Sequence, residues 1–224
     1  MFSFNVTHNV AEVIDRLNRF SKQGREAVAF VLTNTARDIQ QSMPAKLETD
    51  LDRPNPFTKK GFFVKAANSS NLTALIGVMP RQAEYLKYQV FGGDRSPKRV
   101  ALRLPSVVEL NQYGNLPAGT VRRLLALARS GKAVNRGMAK RLKTHIGSSV
   151  YYGKPKGRRE RPPGLYLRIN HGGGESGKQL RPIVVFPRQS ASYRKRFDFF
   201  GQARRVVTER WPVNVQRAFA RALA

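Results

Sequence analysis

Cysteine is absent from the 224-residue chain, which excludes a disulfide framework and a thiolate-bound metal. No apolar run approaches the roughly 18 to 20 residues that a membrane-spanning helix needs. The first residues also lack the basic and apolar regions of a secretion signal. These absences fit a protein that is assembled in the cytosol. No membrane partner is expected, because no helix in the sequence pairs a basic face with a strongly apolar face of Trp, Phe and Leu.

Grouped catalytic and metal-binding residues are lacking as well. The three histidines lie far apart, at positions 8, 145 and 171. Glu48, Asp50 and Asp52 form an acidic cluster, but it lacks the glycine and the distal glutamate of a calcium loop. Neither a Ser-His-Asp set nor a G-x-S-x-G motif is visible. The sequence therefore predicts no enzyme, no catalytic residue, no bound metal and no cofactor.

One glycine-rich segment partly matches a nucleotide-binding motif. Residues 172–178 match the first seven positions of a phosphate-binding P-loop, but Gln179 stands where a magnesium-binding Ser or Thr is required. A P-loop must also open a helix, whereas residues 182–186 have the pattern of a strand. The segment is therefore interpreted as a hairpin loop.

Acidic residues are scarce: 41 Lys and Arg stand against 14 Asp and Glu, a net charge of +27. Residues 1–94 carry 12 basic and 9 acidic residues, whereas residues 95–224 carry 29 and 5. Such a charge repels itself unless a polyanion or a neighbouring subunit neutralises it. Nucleic acid binds Lys and Arg through counter-ion release, so the sequence predicts that the chain works beside nucleic acid.

The charge is densest between residues 122 and 161, where 13 Lys and Arg accompany one acid, Glu160. Glycines, Tyr151 and Tyr152 are interleaved with them, which adds backbone freedom and surfaces for stacking. No helix-turn-helix, zinc-finger or RNA-recognition signature is present, so binding is expected to be through phosphates and independent of sequence. A solvated basic face is the alternative. The candidate residues are Arg122, Arg123, Lys132, Arg136, Lys140, Arg141, Lys143, Lys154, Lys156, Arg158, Arg159 and Arg161.

Hydrophobic periodicity predicts the elements. A helix capped by Asn9 is expected to run, with a division near Gly24, as far as Pro44, and a loop is expected over residues 44–56. A C-terminal helix from Phe199 is expected to break or kink at Pro212. Strands are predicted over residues 62–66, 72–78, 99–104, 165–169 and 182–186, and short helices over residues 82–91 and 117–128.

These elements predict one α+β domain spanning residues 1–224. Its long N-terminal helix packs on a mainly antiparallel sheet, and a helix ends the chain. A long basic loop, expected to be a flexible arm around residues 130–162, interrupts the order of elements.

Three blocks of turn and aromatic residues carry a family resemblance. The first joins Arg53-Pro54-Asn55-Pro56-Phe57-Thr58 to Gln82-Ala83-Glu84-Tyr85-Leu86 and Gly92-Gly93. The second is Asn111-Gln112-Tyr113-Gly114-Asn115-Leu116-Pro117-Ala118-Gly119. The third is Tyr193-Arg194-Lys195-Arg196-Phe197-Asp198-Phe199-Phe200-Gly201. Together they resemble the prophage tail-completion proteins similar to minor tail protein Z, a group that overlaps the neck and tail-joining proteins of tailed phages.

The resemblance implies a virion protein without an active site, assembled in the host cytoplasm. It implies a homo-oligomeric ring at the head–tail junction or upper tail, beside other neck, tail-tube or portal-associated proteins. The basic arm would face DNA or an adjoining ring. The main alternative is a stand-alone nucleic-acid-binding protein without sequence specificity, which would coat DNA as a monomer.

Overall fold

The structure, a computed structural model, describes residues 2–6, 22–96, 104–155, 161–170, 178–187 and 189–222. The chain forms two compact units where the sequence predicts one domain. Residues 1–94 and 192–224 make up the first unit, and residues 95–191 make up the second. The division follows from packing, because the buried apolar side chains form two separate clusters, one within each unit.

The predicted α+β class is confirmed, with a long helix near the N-terminus, antiparallel sheets and a C-terminal helix. In chain order the elements are β1 (Ser3–Val6), α1 (Lys22–Asp50), α2 (Pro56–Lys59), β2 (Phe62–Lys65), β3 (Ala74–Val78), α3 (Pro80–Phe91), β4 (Gly93–Arg95), β5 (Leu104–Pro105), α4 (Thr120–Ser130), α5 (Arg136–Leu142), β6 (Ser149–Gly153), β7 (Gly164–Asn170), β8 (Lys178–Val185), β9 (Ala191–Tyr193) and α6 (Phe199–Ala222). The predicted helix around Asn9 and most of the strand predicted over residues 99–104 lie outside the described residues.

Two prolines were expected to end or bend helices. α1 continues through Pro44 to Asp50, so the predicted end at Pro44 and the first part of the predicted loop are wrong. α6 likewise continues through Pro212. Proline removes one helical hydrogen bond, but tertiary packing overrides this loss, since Met43 and Leu47 on either side of Pro44 are fully buried.

The first unit is built on a three-stranded antiparallel sheet in the order β1-β3-β2. β1 was not predicted from the sequence; its four residues pair with residues 74–77 of β3, for example Ser3 with Gly77. α1 packs on this sheet and along α6. Phe199, the first residue of α6, is fully buried against Phe2 and Phe62, with ring centroids 5.4 and 6.3 Å away. Aromatic packing therefore joins the C-terminal helix to the sheet.

A polar cluster lies between α1 and α6, with Thr35 and Asn214 buried and Asp38 and Arg210 partly buried. Asn214 Nδ2 donates to Thr35 Oγ1 at 3.1 Å and to Asp38 Oδ2 at 2.8 Å. Arg210 Nε donates to the same Asp38 oxygen at 3.4 Å. Polar groups removed from water are stable only when hydrogen-bonded, so this cluster fixes one register of the two helices.

The two halves of the first sequence block meet in the first unit. Asn55 caps α2, and its Oδ1 accepts from the backbone N–H of Thr58 at 2.7 Å and from its hydroxyl at 2.8 Å. The Thr58 hydroxyl also lies 2.8 Å from that of Tyr85 on α3, and Gln82 Nε2 donates to the carbonyl of Phe57 at 3.0 Å. The block is therefore a hydrogen-bonded joint between α2 and α3.

We expect Asn55→Ala to lower the free energy of unfolding by about 1 kcal/mol, the usual effect of removing a helix N-cap. Asn71→Ala in the exposed turn before β3 is the control and should change stability by less than about 0.5 kcal/mol. Urea unfolding of both variants measures the difference. Equal changes in the two variants would mean that the Asn55 cap contributes no special stability.

The third block packs against α3. Gly92 ends that helix with a φ of 74°, and a Cβ on it would lie 3.2 Å from the carbonyl oxygen of Tyr193. The backbone N–H groups of Arg196 and Phe197 both donate to the carbonyl of Gln89, at 2.8 and 2.9 Å. The first and third blocks thus form one structural joint, which explains their turn and aromatic residues without a catalytic role.

The second unit contains a four-stranded antiparallel sheet in the order β5-β8-β7-β6. The predicted hairpin of residues 165–169 and 182–186 is present as β7 and β8. Val150, Leu165, Leu167 and Val184 form one face and belong to the core with Leu124 of α4. The described residues of the predicted arm, 130–155 and 161–162, include α5 and β6, because Ala139, Leu142 and Val150 reach this core.

Candidate nucleic-acid interface

The loop before α4 is shaped by the second sequence block. Asn111 Oδ1 accepts from the backbone N–H groups of Tyr113 and Asn115, both at 3.0 Å. Gly114 and Gly119 have φ values of 71° and 76°, a conformation that favours glycine. Pro117 lies in this turn and not in the helix, so α4 begins three residues later than predicted, at Thr120.

α4 has one apolar and one basic side. Leu124 is fully buried in the core of the second unit, and Val121, Leu125 and Ala128 pack against that core. The opposite side exposes Arg122, Arg123 and Arg129. The helix ends at Gly131, whose φ of 63° is typical of a helix C-terminus. Burial of the apolar side therefore directs three guanidinium groups to solvent.

α5 repeats this arrangement on a shorter helix. Asn135 Oδ1 caps it by accepting from the backbone N–H of Met138 at 2.9 Å. Ala139 and Leu142 are buried, which leaves Arg136, Lys140 and Arg141 exposed.

Nine of the twelve candidate residues lie within the described part of the chain, and all nine are exposed in the second unit. They are Arg122, Arg123, Lys132, Arg136, Lys140, Arg141, Lys143, Lys154 and Arg161. Lys156, Arg158 and Arg159 lie outside the described residues. Two of the nine also form hydrogen bonds to backbone carbonyls. Arg123 Nη2 donates to the carbonyl of Ala118 at 3.1 Å, and Arg161 Nη1 donates to that of Leu180 at 3.0 Å.

The charge of the second unit is strongly unbalanced. Residues 95–191 carry 21 Lys and Arg and three acidic residues, a net charge of +18. Glu109 is the only acidic residue of this unit that the structure describes. Within the described ranges, every ion pair between side chains lies in the first unit, as in Lys46–Asp50 and Lys59–Glu48. Because 21 basic residues stand against three acidic ones, most of the positive charge of the second unit cannot be neutralised by its own acidic residues.

Two exposed basic residues were not among the sequence candidates: Arg168, on the face of the sheet opposite Leu165 and Leu167, and Arg129 on α4. Arg168 is exposed on β7, with its guanidinium carbon 5.0 Å from the ring centroid of Tyr151 on β6. Its place after Leu165-Tyr166-Leu167 follows strand alternation, which was the available signal. Arg129 was omitted although it lies seven residues after Arg122 and shares its side of α4.

Tyr166 shows how tightly this face is packed. The side chain is 1% exposed, and its hydroxyl donates to the carbonyl of Pro162 at 2.6 Å. Burial raises the pKa of Tyr166 above its ordinary value, and the positive charge of Arg161 opposes that rise. Tyr166 is therefore a structural residue of the sheet, while Tyr151 is only half-buried.

The histidines and acidic residues that the structure describes form no metal-binding group. Among the described residues, no three His, Cys, Asp or Glu side chains approach closely enough to hold a metal ion. Lys178 begins β8, where a P-loop requires a helix; the glycines before it lie outside the described ranges. No helix in the described part of the chain has both the length and the apolarity to cross a membrane.

Comparison of the chain with protein-family models, curated proteins and solved structures finds no match.

Proposed function

We propose that the protein is a non-enzymatic virion assembly protein of a tailed phage, a tail-completion or head–tail junction component whose second unit faces DNA. The observation that carries this proposal is the charge of +18 on residues 95–191. The phage assignment comes from the three sequence blocks, whereas the nucleic-acid partner follows from the charge.

The distribution of cations supports contact with phosphates. Arg122, Arg129, Arg136 and Lys140 extend from the surfaces of packed helices, so their backbone positions are fixed before a ligand binds. Contacts between cations and phosphates carry no sequence information. A surface of this kind permits DNA to slide, as a junction or tail channel requires.

Exposed apolar side chains on the first unit support contacts with other subunits. Phe57, Phe91 and Phe219 are 51%, 59% and 56% exposed, although large aromatic side chains favour burial. A ring needs two different, complementary surfaces on each protomer. The second unit also exposes large apolar side chains, but it alone carries the charge of +18. We therefore propose that the first unit supplies subunit contacts and the second unit supplies DNA contacts.

Negative-stain electron microscopy of the purified protein, with and without duplex DNA, tests this function. We expect rings of fixed symmetry that form as protein concentration rises, and equal affinity for two unrelated duplexes of the same length. Monomers that coat DNA without forming rings would favour the alternative of a stand-alone nucleic-acid-binding protein. Failure to bind either duplex would contradict both functions.

A further inference from the structure

α5 contains a glycine that the fold does not require. Gly137 is exposed in the first turn of the helix, and its φ is not positive. A Cβ on this residue would meet nothing nearer than Asn135 Oδ1, at 3.8 Å. Alanine would therefore fit at this position and would favour the helix, because glycine is among the poorest helix-forming residues.

The C-terminal end of α5 shows the reverse case, a residue with a side chain in a backbone conformation that favours glycine. Lys143 has φ and ψ angles of 48° and 52°, the left-handed conformation that glycine adopts most readily at helix ends. Its backbone N–H bonds to the carbonyl of Lys140 at 3.2 Å, and that of Thr144 bonds to the carbonyl of Ala139 at 3.0 Å. The turn is thus a normal helix end that holds lysine where glycine would be more stable.

Both departures occur among exposed cations. Gly137 shares its side of the helix with Lys140 and Arg141, which follow it by three and four residues. Arg136, Lys140 and Lys143 follow one another at steps of four and three residues. Positions where a sequence breaks local rules without a packing reason are typical of functional sites.

We propose that α5 is the element on which the sugar–phosphate backbone of duplex DNA rests, with Gly137 as the point of closest approach. This inference rests on the proposed function and names the contact surface within it. The missing side chain at Gly137 lets a phosphate come close to the helix backbone, while Lys140, Arg141 and Lys143 surround it with charge. The ammonium group of Lys143 adds a positive charge at the end of the helix, although glycine at this position would make the helix end more stable.

Duplex DNA fits this surface better than single-stranded nucleic acid. Residues 136–143 contain no aromatic side chain, so α5 offers no surface on which an unpaired base could stack. The step from Arg136 to Lys143 spans about 10 Å of helix, or roughly three phosphates of one strand of B-DNA. A duplex also releases more counter-ions per phosphate than a single strand does.

The test compares Gly137→Ala and Lys143→Gly with the wild type, using fluorescence anisotropy on a 20-base-pair duplex and thermal unfolding. We expect each variant to raise Tm by about 2 °C, because each favours the native backbone. Each variant should also weaken duplex binding about eightfold at 0.1 M salt, the effect of losing one phosphate contact. Gly137→Gln, which keeps the charge but adds bulk, should weaken binding further.

The matched control is Ala45→Gln, which adds similar bulk to an exposed position of α1 in the first unit and should leave affinity unchanged. If the wild type binds duplex DNA and the variants at Gly137 and Lys143 keep full affinity, the assignment of α5 is wrong while the proposed function stands. Tighter binding of the variants to a single strand than to the duplex would also overturn it. A wild type that binds no duplex would overturn both proposals.

Discussion

Removal of six cations from the second unit is expected to abolish most DNA binding while leaving the fold intact. The substitutions are to Gln, at Arg122, Arg129, Lys132, Arg136, Lys140 and Arg141. Each side chain is exposed and makes no hydrogen bond or ion pair among the described residues, so stability should change little. The slope of log K against log salt should become shallower by up to about 5, because each phosphate contact contributes about −0.9. Affinity at 0.1 M salt should fall by at least about 10³.

A variant of the first unit with the same change in net charge is the control. It replaces six exposed cations by Gln, at Lys60, Lys65, Arg81, Arg194, Arg204 and Arg217. This variant should keep most of the affinity and the salt slope. Equal losses in the two variants would show that binding follows net charge alone, and the assignment of DNA contact to the second unit would then be wrong.

Asn214→Leu is expected to produce the largest loss of stability. The substitution removes the donor to Thr35 and Asp38 between α1 and α6 and leaves both acceptors in the interface. A buried polar group that loses its hydrogen-bond partner costs about 1–3 kcal/mol. Thr35 and Asp38 both lose the amide donor, and Asp38 keeps Arg210, so we expect a total loss of about 3 kcal/mol. Trp211 is the only tryptophan of the chain and packs against the core of the first unit, so its fluorescence should report the unfolding of that unit.

Gln216→Leu on the exposed side of α6 is the control and should change stability by less than about 0.5 kcal/mol. The double variant Asp38→Leu/Asn214→Leu should recover part of the loss, because it also removes the carboxylate that has lost its amide donor and keeps only Arg210. A double variant as unstable as the sum of its single variants would mean that Asp38 and Asn214 act independently.

The class of fold could be predicted because its main elements have strong hydrophobic periods. The stripe that includes Val28, Val31, Leu32 and Ile39 predicted most of α1, and alternating residues predicted β2, β3 and β7. The end of α1 was missed because the burial of Leu47, which depends on tertiary contacts, outweighs the local effect of Pro44. β1 was missed because a strand of four residues shows almost no period.

The division into two units could not be predicted, because it depends on tertiary packing. The same holds for the structure of the basic segment. Charge and glycine content suggested a flexible arm, but a few buried positions, among them Ala139, Leu142 and Val150, are enough to attach α5 and β6 to the second core. The candidate cations were found because charge density is visible in the sequence. Alternation along β7 separates Arg168 from Leu165 and Leu167, but its exposure also depends on packing, since Tyr166 on the same face is buried.

Lysine acetylation footprinting, read by mass spectrometry with and without a saturating DNA duplex, tests most directly that the second unit holds the nucleic acid. Lys132, Lys140 and Lys143 are exposed in that unit, and Lys60, Lys65 and Lys87 are exposed in the first. We expect DNA to slow acetylation of the first three severalfold and to leave the other three unchanged, because an amine held against a phosphate is shielded from the reagent. Protection confined to Lys60, Lys65 and Lys87, or equal protection of all six lysines, would contradict the account.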